Sequence, residues 1–189
     1  MKSRDQYAPG AASGAEVRKD GEKWTLVLVR ELTHPPAKVW DALTDPEQLR
    51  QWAPFDSDRN LGSVGAVTLS TVGAPTPQVS ETQIKRADAP RLLEFNWGGQ
   101  DIRWELEPLA GGTRLTLWHN IDRRFIAMGA AGWHICFDVL DGLLADQPIG
   151  RTMRRGSNTS TPCSRAVVVL RYAGGGQYYV LTSYPECRG

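Results

Sequence analysis

The chain has 189 residues, with 22 Lys and Arg against 21 Asp and Glu and a formal net charge of +1. This length fits one domain with a tail, since a body of about 150 residues buries roughly 70% of its unfolded surface. The balanced charge excludes nucleic acid as a partner of the body, because neutralising phosphates requires a large basic excess. No apolar run of about 18 residues occurs, so we expect no membrane span.

The cysteines and the N-terminus predict a cytoplasmic protein. Cys136, Cys163 and Cys187 are odd in number and widely spaced, which is typical neither of a disulfide framework nor of a zinc site. The first residues are polar and rich in Gly, Ala and Ser, without the apolar run of a secretory signal. We therefore expect a disordered N-terminal tail over residues 1–21 and a domain over residues 22–150.

The start of this domain predicts one strand and two short helices. Apolar and polar residues alternate from Glu22 to Leu32, which indicates a strand. A pair of prolines then precedes the segment from Ala37 to Leu43, whose apolar residues have helical spacing. A second helix is expected from Pro46 to Trp52, with Thr44 or Asp45 as its N-cap.

The middle of the chain predicts five further strands joined by turns, because alternating segments are separated by Gly and Pro clusters. These strands are Gly65 to Val72, Gln78 to Arg86, Leu92 to Trp97, Ile102 to Glu107 and Arg114 to Ile121. A change to helical spacing then predicts a long helix from Arg124 to Ala145. Gly129 and Gly132 in this helix allow another element to approach closely.

This order predicts an α+β fold: a curved six-stranded antiparallel sheet with two short helices after the first strand and a long C-terminal helix packed on it. An apolar cavity is expected between sheet and helix. Large aromatic side chains suit the walls of such a cavity, since rigid rings lose little rotamer entropy. The predicted ligand-binding residues are Trp40, Trp52, Phe55, Phe95, Trp97, Trp104, His119, Phe125, Met128, Trp133 and Phe137.

Four segments in this order resemble the START-like (SRPBCC) helix-grip superfamily: PPAKVWDALTDPEQLRQWAPF, RLLEFNW, TRLTLWH and GWHICFDVLDGLL. Within it, the chain is similar to bacterial proteins related to the C-terminal domain of the heat-shock protein 90 ATPase activator. The resemblance covers about Lys23 to Gly150. It implies a helix-grip fold with an apolar cavity under the long helix, used for lipids or hydrophobic metabolites and, in some branches, for cyclase, aromatase or dehydratase chemistry.

Residues 151–189 depart from that family and hold six arginines against one acid, Glu186. Two readings of this tail stay open. One is a β-rich extension with a hairpin formed by Val167 to Tyr172 and Gln177 to Leu181. The other is a disordered segment that arises from an altered reading frame.

Two residues are candidates for proton transfer. His119 lies on the predicted inward face with Leu115 and Leu117, and histidine titrates near neutral pH. A hydrogen-bonded core histidine explains the same pattern. Glu81, with Arg103 or Arg123, fits the polar end of a ligand, although charges on a half-exposed sheet also explain these three residues.

Cofactor and metal sites are not indicated. No Gly-rich loop lies between a strand and a helix, which argues against a nucleotide. His134, Cys136 and His119 form no tight ligand motif, so we expect no metal.

Three functions remain in competition: a binding module for a small hydrophobic molecule, a cyclase or hydrolase-type enzyme that uses the same cavity, and a co-chaperone-like interaction protein. We rank the binding module first. The sequence leaves open a homodimer and a contact with a chaperone.

Overall fold

The computed structural model describes residues 15–72, 76 and 78–148, and the backbone of residues 167–174 and 177–183. Its strands are β1 (Ala15–Asp20), β2 (Lys23–Leu32), β3 (Phe55–Ser57), β4 (Gly65–Thr71), β5 (Gln78–Asp88), β6 (Leu92–Trp97), β7 (Gln100–Leu109), β8 (Gly112–Asn120), β9 (Val167–Gly174) and β10 (Gln177–Ser183). The helices are α1 (Pro36–Thr44), α2 (Pro46–Trp52) and α3 (Ile126–Leu144). Every strand pairing is antiparallel, so the predicted α+β class is confirmed.

The sheet has more strands than the six predicted. Eight lie before α3, and β9 and β10 extend the sheet to the order β3-β4-β5-β6-β7-β8-β2-β1-β10-β9. β1 and β3 are the unexpected members. β3 has three residues, too few for an alternation, and β1 follows a Gly- and Ala-rich stretch and ends in three charged residues. Both form because a neighbouring strand supplies their hydrogen bonds.

The ordered domain therefore begins before residue 22, where the sequence placed its start. β1 pairs along its whole length with β2, from Ala15 opposite Leu28 to Asp20 opposite Lys23. The side chain of Val17 is fully buried in the core. Residues 15–20 belong to the sheet, and residues 1–14 lie outside the described residues.

The tail contributes the last two strands of the sheet. β9 pairs with β10, and β10 pairs with β1 through the register Glu16 opposite Tyr179. These strands cover the two segments for which the sequence allowed a hairpin, while residues 149–166 lie outside the described residues. α3 also lies against β9 and β10, so the backbone of the tail borders the long helix.

The predicted starts of the short helices are confirmed. Pro36 occupies the first position of α1, where its missing N–H costs nothing. Asp45 is the N-cap of α2, and its carboxylate accepts hydrogen bonds from the backbone N–H groups of Glu47 and Gln48 at 2.9 and 3.0 Å. Of the two expected caps, Asp45 rather than Thr44 performs this role.

The two ends of α3 are held differently. A 3-10 turn, Arg123–Phe125, precedes the helix, so α3 begins slightly later than the predicted Arg124. Its N-cap, Phe125, makes no side-chain hydrogen bond to the first turn. At the other end, the Lys38 ammonium of α1 donates to the carbonyl oxygen of Leu144 at 2.7 Å, where a cation complements the helix dipole.

The core lies between one face of the sheet and the three helices. In β7, Ile102, Trp104 and Leu106 are all buried, whereas the residues between them form the outer face, as the alternation predicted. α3 presents Trp133 and Phe137 to this inner face, and both are buried. The space under α3 is consequently lined by apolar side chains from several strands.

We predict that Gly112→Ala destabilises the protein by about 1–3 kcal/mol. A Cβ at Gly112 would lie 1.9 Å from the backbone oxygen of Leu32, so the junction of β2 and β8 would have to shift. Urea unfolding of the full chain measures this change.

Gly111→Ala is the matched control, because a Cβ there meets no atom within 4 Å. Its free energy of unfolding should stay within about 0.5 kcal/mol of the wild type. Equal stability of the two variants would contradict the close approach at Gly112.

Candidate ligand-binding site

Four predicted site residues form an aromatic cluster between the sheet and the N-terminal half of α3: Phe55, Trp97, His119 and Trp133. The Trp97 ring lies 5.3 Å from Phe55, 5.9 Å from Trp133 and 6.2 Å from His119, between ring centroids. Phe55, His119 and Trp133 are buried, and Trp97 is half-buried. The rings contact one another, so they occupy the space in which the sequence predicted a cavity.

A second group of predicted site residues packs deeper in the core. Trp104 is 1% exposed and contacts Trp52, Trp133 and Phe137 at centroid distances of 6.0, 5.4 and 5.9 Å. Phe95 and Trp40 are also buried. These predicted site residues belong to the hydrophobic core, and Trp104 packs directly against Trp133 of the aromatic cluster.

The remaining two predicted residues, Phe125 and Met128, are exposed at 44% and 67%. With Gly132 they form one side of the first turns of α3, which we call the open flank. A Cβ built at Gly132 meets no atom within 4 Å. One turn further along the same side, Cys136 is buried, and α2 packs against α3. Within the described residues, the side of α3 that is buried at Cys136 is therefore exposed at Phe125 and Met128, beside Trp133.

Of the two glycines that the sequence singled out in the first half of α3, only Gly129 meets a close neighbour. A Cβ at Gly129 would lie 2.6 Å from Cδ1 of Ile121, so glycine lets α3 approach the end of β8 closely. The same expectation was wrong for Gly132, which faces open space.

His119 is the polar member of the aromatic cluster. The indole Nε1–H of Trp133 donates to Nδ1 of His119 at 3.0 Å. Because an indole nitrogen can only donate, the neutral imidazole carries its proton on Nε2. That Nε2–H donates to Oε1 of Gln100 at 2.6 Å. The predicted inward direction of His119 is confirmed, and both ring nitrogens are hydrogen-bonded within the protein.

Glu81 does not belong to this site. It lies on β5 and is exposed, whereas the inward residue of that strand near it, Ile84, is buried. Arg103 is also on the outer face, where it forms ion pairs with Glu94 and Glu105. Arg123 lies over the ring of Trp24, with 5.7 Å between the guanidinium carbon and the ring centroid.

Sequence reasoning missed one inward-facing charge, Arg30. Arg30 follows Leu26 and Leu28 on the inward face of β2, and this alternation could have predicted its inward direction. Its guanidinium forms an ion pair with Asp138 of α3 at 2.9 Å and lies 3.2 Å from Nδ1 of His134. These contacts tie the second half of α3 to β2.

A groove of about 540 Å³ lies on the outer face of the sheet rather than under the helix. Its floor includes Val27, Val29, Thr116 and Trp118. The indole N–H of Trp118 donates to Glu105 at 3.0 Å, and Arg18 stacks on the same ring. The charged walls of this groove are thus engaged with their own neighbours.

Comparison with known proteins assigns the family. The family model described as "Activator of Hsp90 ATPase homolog 1-like protein" matches residues 33–145, which span α1 to the end of α3. The chain belongs to this family. No curated protein matches the sequence. The expected resemblance to relatives of the Hsp90 ATPase activator is confirmed.

Solved structures show the same fold at low sequence identity. A protein from Staphylococcus saprophyticus is 20% identical, covers 68% of this chain and 98% of its own, and has a TM-score of 0.56. CalU16 from Micromonospora echinospora is 22% identical, with coverage of 75% and 87% and a TM-score of 0.55. The AHSA1-like protein from Aeromonas hydrophila is 16% identical, with coverage of 65% and 92% and a TM-score of 0.51. At these identities the likeness concerns the fold alone.

The described part of this Hsp90-activator-like chain contains neither a cluster of metal ligands nor a membrane-spanning helix. No group of three or more His, Cys, Asp or Glu side chains within it is placed to hold a metal ion. His134, one of the residues considered for metal binding, lies beside Arg30 and Asp138 instead. Within the same residues, no helix has the length and apolar character needed to cross a membrane.

Burial keeps the imidazole of His119 neutral. His119 is 3% exposed, and burial lowers the pKa of His119 from 6.5 to about 4, because the charged form is poorly solvated. A proton on Nδ1 would also meet the indole N–H of Trp133. The site therefore presents an uncharged hydrogen-bond donor at neutral pH.

The depressed pKa of His119 predicts a loss of stability in mild acid. The unfolded chain takes up a proton near pH 6.5, whereas the folded chain does so only near pH 4, so stability is complete above pH 6.5 and falls as the pH drops towards 4. The part of this loss that falls between pH 7 and about 4.5 is roughly 2–3 kcal/mol. Urea unfolding of wild type and His119→Gln between pH 7 and about 4.5 measures it, since the variant lacks this loss.

His34→Gln is the matched control, because it removes a different histidine and retains His119. This control should lose stability with falling pH as the wild type does. A His119→Gln variant with the same acid dependence as the wild type would contradict the assignment.

Proposed function

We propose that this protein binds a small hydrophobic molecule between the sheet and the first turns of α3. The observation that carries the proposal is the open flank of Phe125, Met128 and Gly132, which lies beside the buried aromatic cluster. An apolar ligand that enters here would exchange water for aromatic surface, which is favourable by about 25 cal/mol per Å² of apolar area buried. Membership of a family that commonly binds hydrophobic ligands supports the same proposal.

The route by which a ligand would reach the aromatic cluster follows from the uneven attachment of α3. Its second half is held by Lys38 at Leu144 and by Arg30 at Asp138. Its first turn has no side-chain cap. The turn before Trp133, which carries the exposed Met128 and Gly132, is consequently the part of α3 that costs least to displace, and its movement uncovers the edge of Trp133 while the indole stays packed. We therefore interpret the first turns of α3 as a lid over the aromatic cluster.

Binding accounts for His119 better than catalysis does. A general base must reach its substrate with a free nitrogen, and both nitrogens of His119 are engaged by Gln100 and Trp133. The pKa of His119, lowered to about 4 by burial, also makes the imidazole a weak base. Glu81, the other catalytic candidate, is exposed outside the site.

We predict that Gly132→Leu weakens the binding of a neutral apolar probe, N-phenyl-1-naphthylamine, by about tenfold, equivalent to about 1.4 kcal/mol. The isobutyl group would occupy the open space beside Trp133. The fluorescence increase of the probe, titrated with full-length protein, gives both dissociation constants.

Gly111→Leu is the matched control, since Gly111 also faces open space but lies in the turn between β7 and β8. This variant should bind the probe as the wild type does. Equal binding by the wild type and both variants would place the probe elsewhere and contradict an entrance at the open flank.

A further inference from the structure

The hydrogen bonds of His119 define the polar chemistry of the proposed site. Trp133 donates to Nδ1, so the acidic edge of the ring is Nε2–H. This edge does not point at a charged group but at the amide oxygen of Gln100, 2.6 Å away. The protein itself thus supplies one neutral acceptor oxygen to His119.

Gln100 is the least firmly held member of this group. It is half-buried and is the first residue of β7, directly after Gly98 and Gly99, whose φ angles are +58° and +81°. His119 and Trp133, by contrast, are 3% exposed. The amide of Gln100 can exchange its bond to His119 for bonds to water, whereas the imidazole and the indole have no such option.

The surroundings of His119 favour an uncharged partner. In the described residues, its hydrogen-bond partners and ring neighbours, Trp97, Gln100 and Trp133, are all neutral. Arg30, an inward-facing cation, already forms its ion pair with Asp138. A carboxylate placed against Nε2–H would be buried without a positive partner, which costs several kcal/mol.

We propose, on the basis of the binding function above, that the ligands of this site are neutral hydrophobic molecules with one acceptor oxygen, such as a ketone, and that this oxygen replaces the Gln100 amide on Nε2–H of His119. His119 is then the residue that determines specificity. The aromatic cluster supplies apolar contact, and His119 selects among apolar molecules of similar size. Hydrocarbons lack the acceptor, and carboxylates carry a charge that the site does not neutralise.

Three probes of nearly equal size test this inference: 2-acetylnaphthalene, 2-ethylnaphthalene and 2-naphthoate. Isothermal titration of the full chain at pH 7.5 should give a dissociation constant for the ketone about three- to tenfold below that of the ethyl compound, the range of a neutral hydrogen bond. The naphthoate should bind more weakly than both. Equal affinities for ketone and ethyl compound, or preference for the naphthoate, would overturn the inference.

Two variants assign the effect to His119. In His119→Phe the ratio between ketone and ethyl compound should fall to about one, because the donor is absent. In Gln100→Ala, which leaves the buried residues intact, the ratio should rise, because the internal acceptor no longer competes. A ratio that is unchanged in Gln100→Ala would overturn the inference even if His119→Phe does not fold.

The same titrations separate this inference from the proposed function. Binding of the ketone and the ethyl compound with equal strength leaves a hydrophobic site in place and removes only the role of His119. Failure of all three probes to bind the wild type would overturn the proposed function, and the inference with it.

Discussion

The packing of Trp133 against the sheet is the interaction on which the rest of the structure depends. Its ring contacts Trp97, Trp104 and His119, and its indole N–H bonds to His119. One side chain of α3 thereby joins residues of β6, β7 and β8. Burial of the rings supplies apolar stabilisation, while the single hydrogen bond fixes the orientation of the indole and the tautomer of the imidazole.

The asymmetry of α3 follows from this arrangement. Beyond Trp133, the helix is tied down by the ion pair between Arg30 and Asp138 and by the bond from Lys38 to Leu144. Before Trp133, it carries glycine at position 132 and the exposed side chain of Met128. Because only the first turns of α3 are weakly held, they can move and open the aromatic cluster while the rest of the fold stays intact. This division connects the stability of the domain with its proposed binding function.

Much of the fold could be predicted from the sequence because its elements have strong periodic patterns. The alternation in β7 correctly placed Trp104 in the core, and the helical spacing after Ile121 located α3. β1 and β3 could not be predicted in this way, since β3 is too short and β1 too charged to show an apolar alternation, and both depend on pairing with the next strand along the chain. For the site, the sequence indicated a set of aromatic residues near the helix and the sheet, but not that Trp104 packs in the core while Phe125 is exposed.

By itself, the sequence determined the α+β class, the two short helices, the inward direction of His119 and the family resemblance. These features depend on local periodicity and on segment order, and both can be read directly from the amino-acid sequence. Only the tertiary structure decided that Phe125 and Met128 are exposed, that Glu81 lies outside, and that Gln100 and Trp133 occupy the two nitrogens of His119. The physical reason is that periodicity reports which face of an element is apolar, whereas contacts between faces depend on sheet curvature and on where the helix lies.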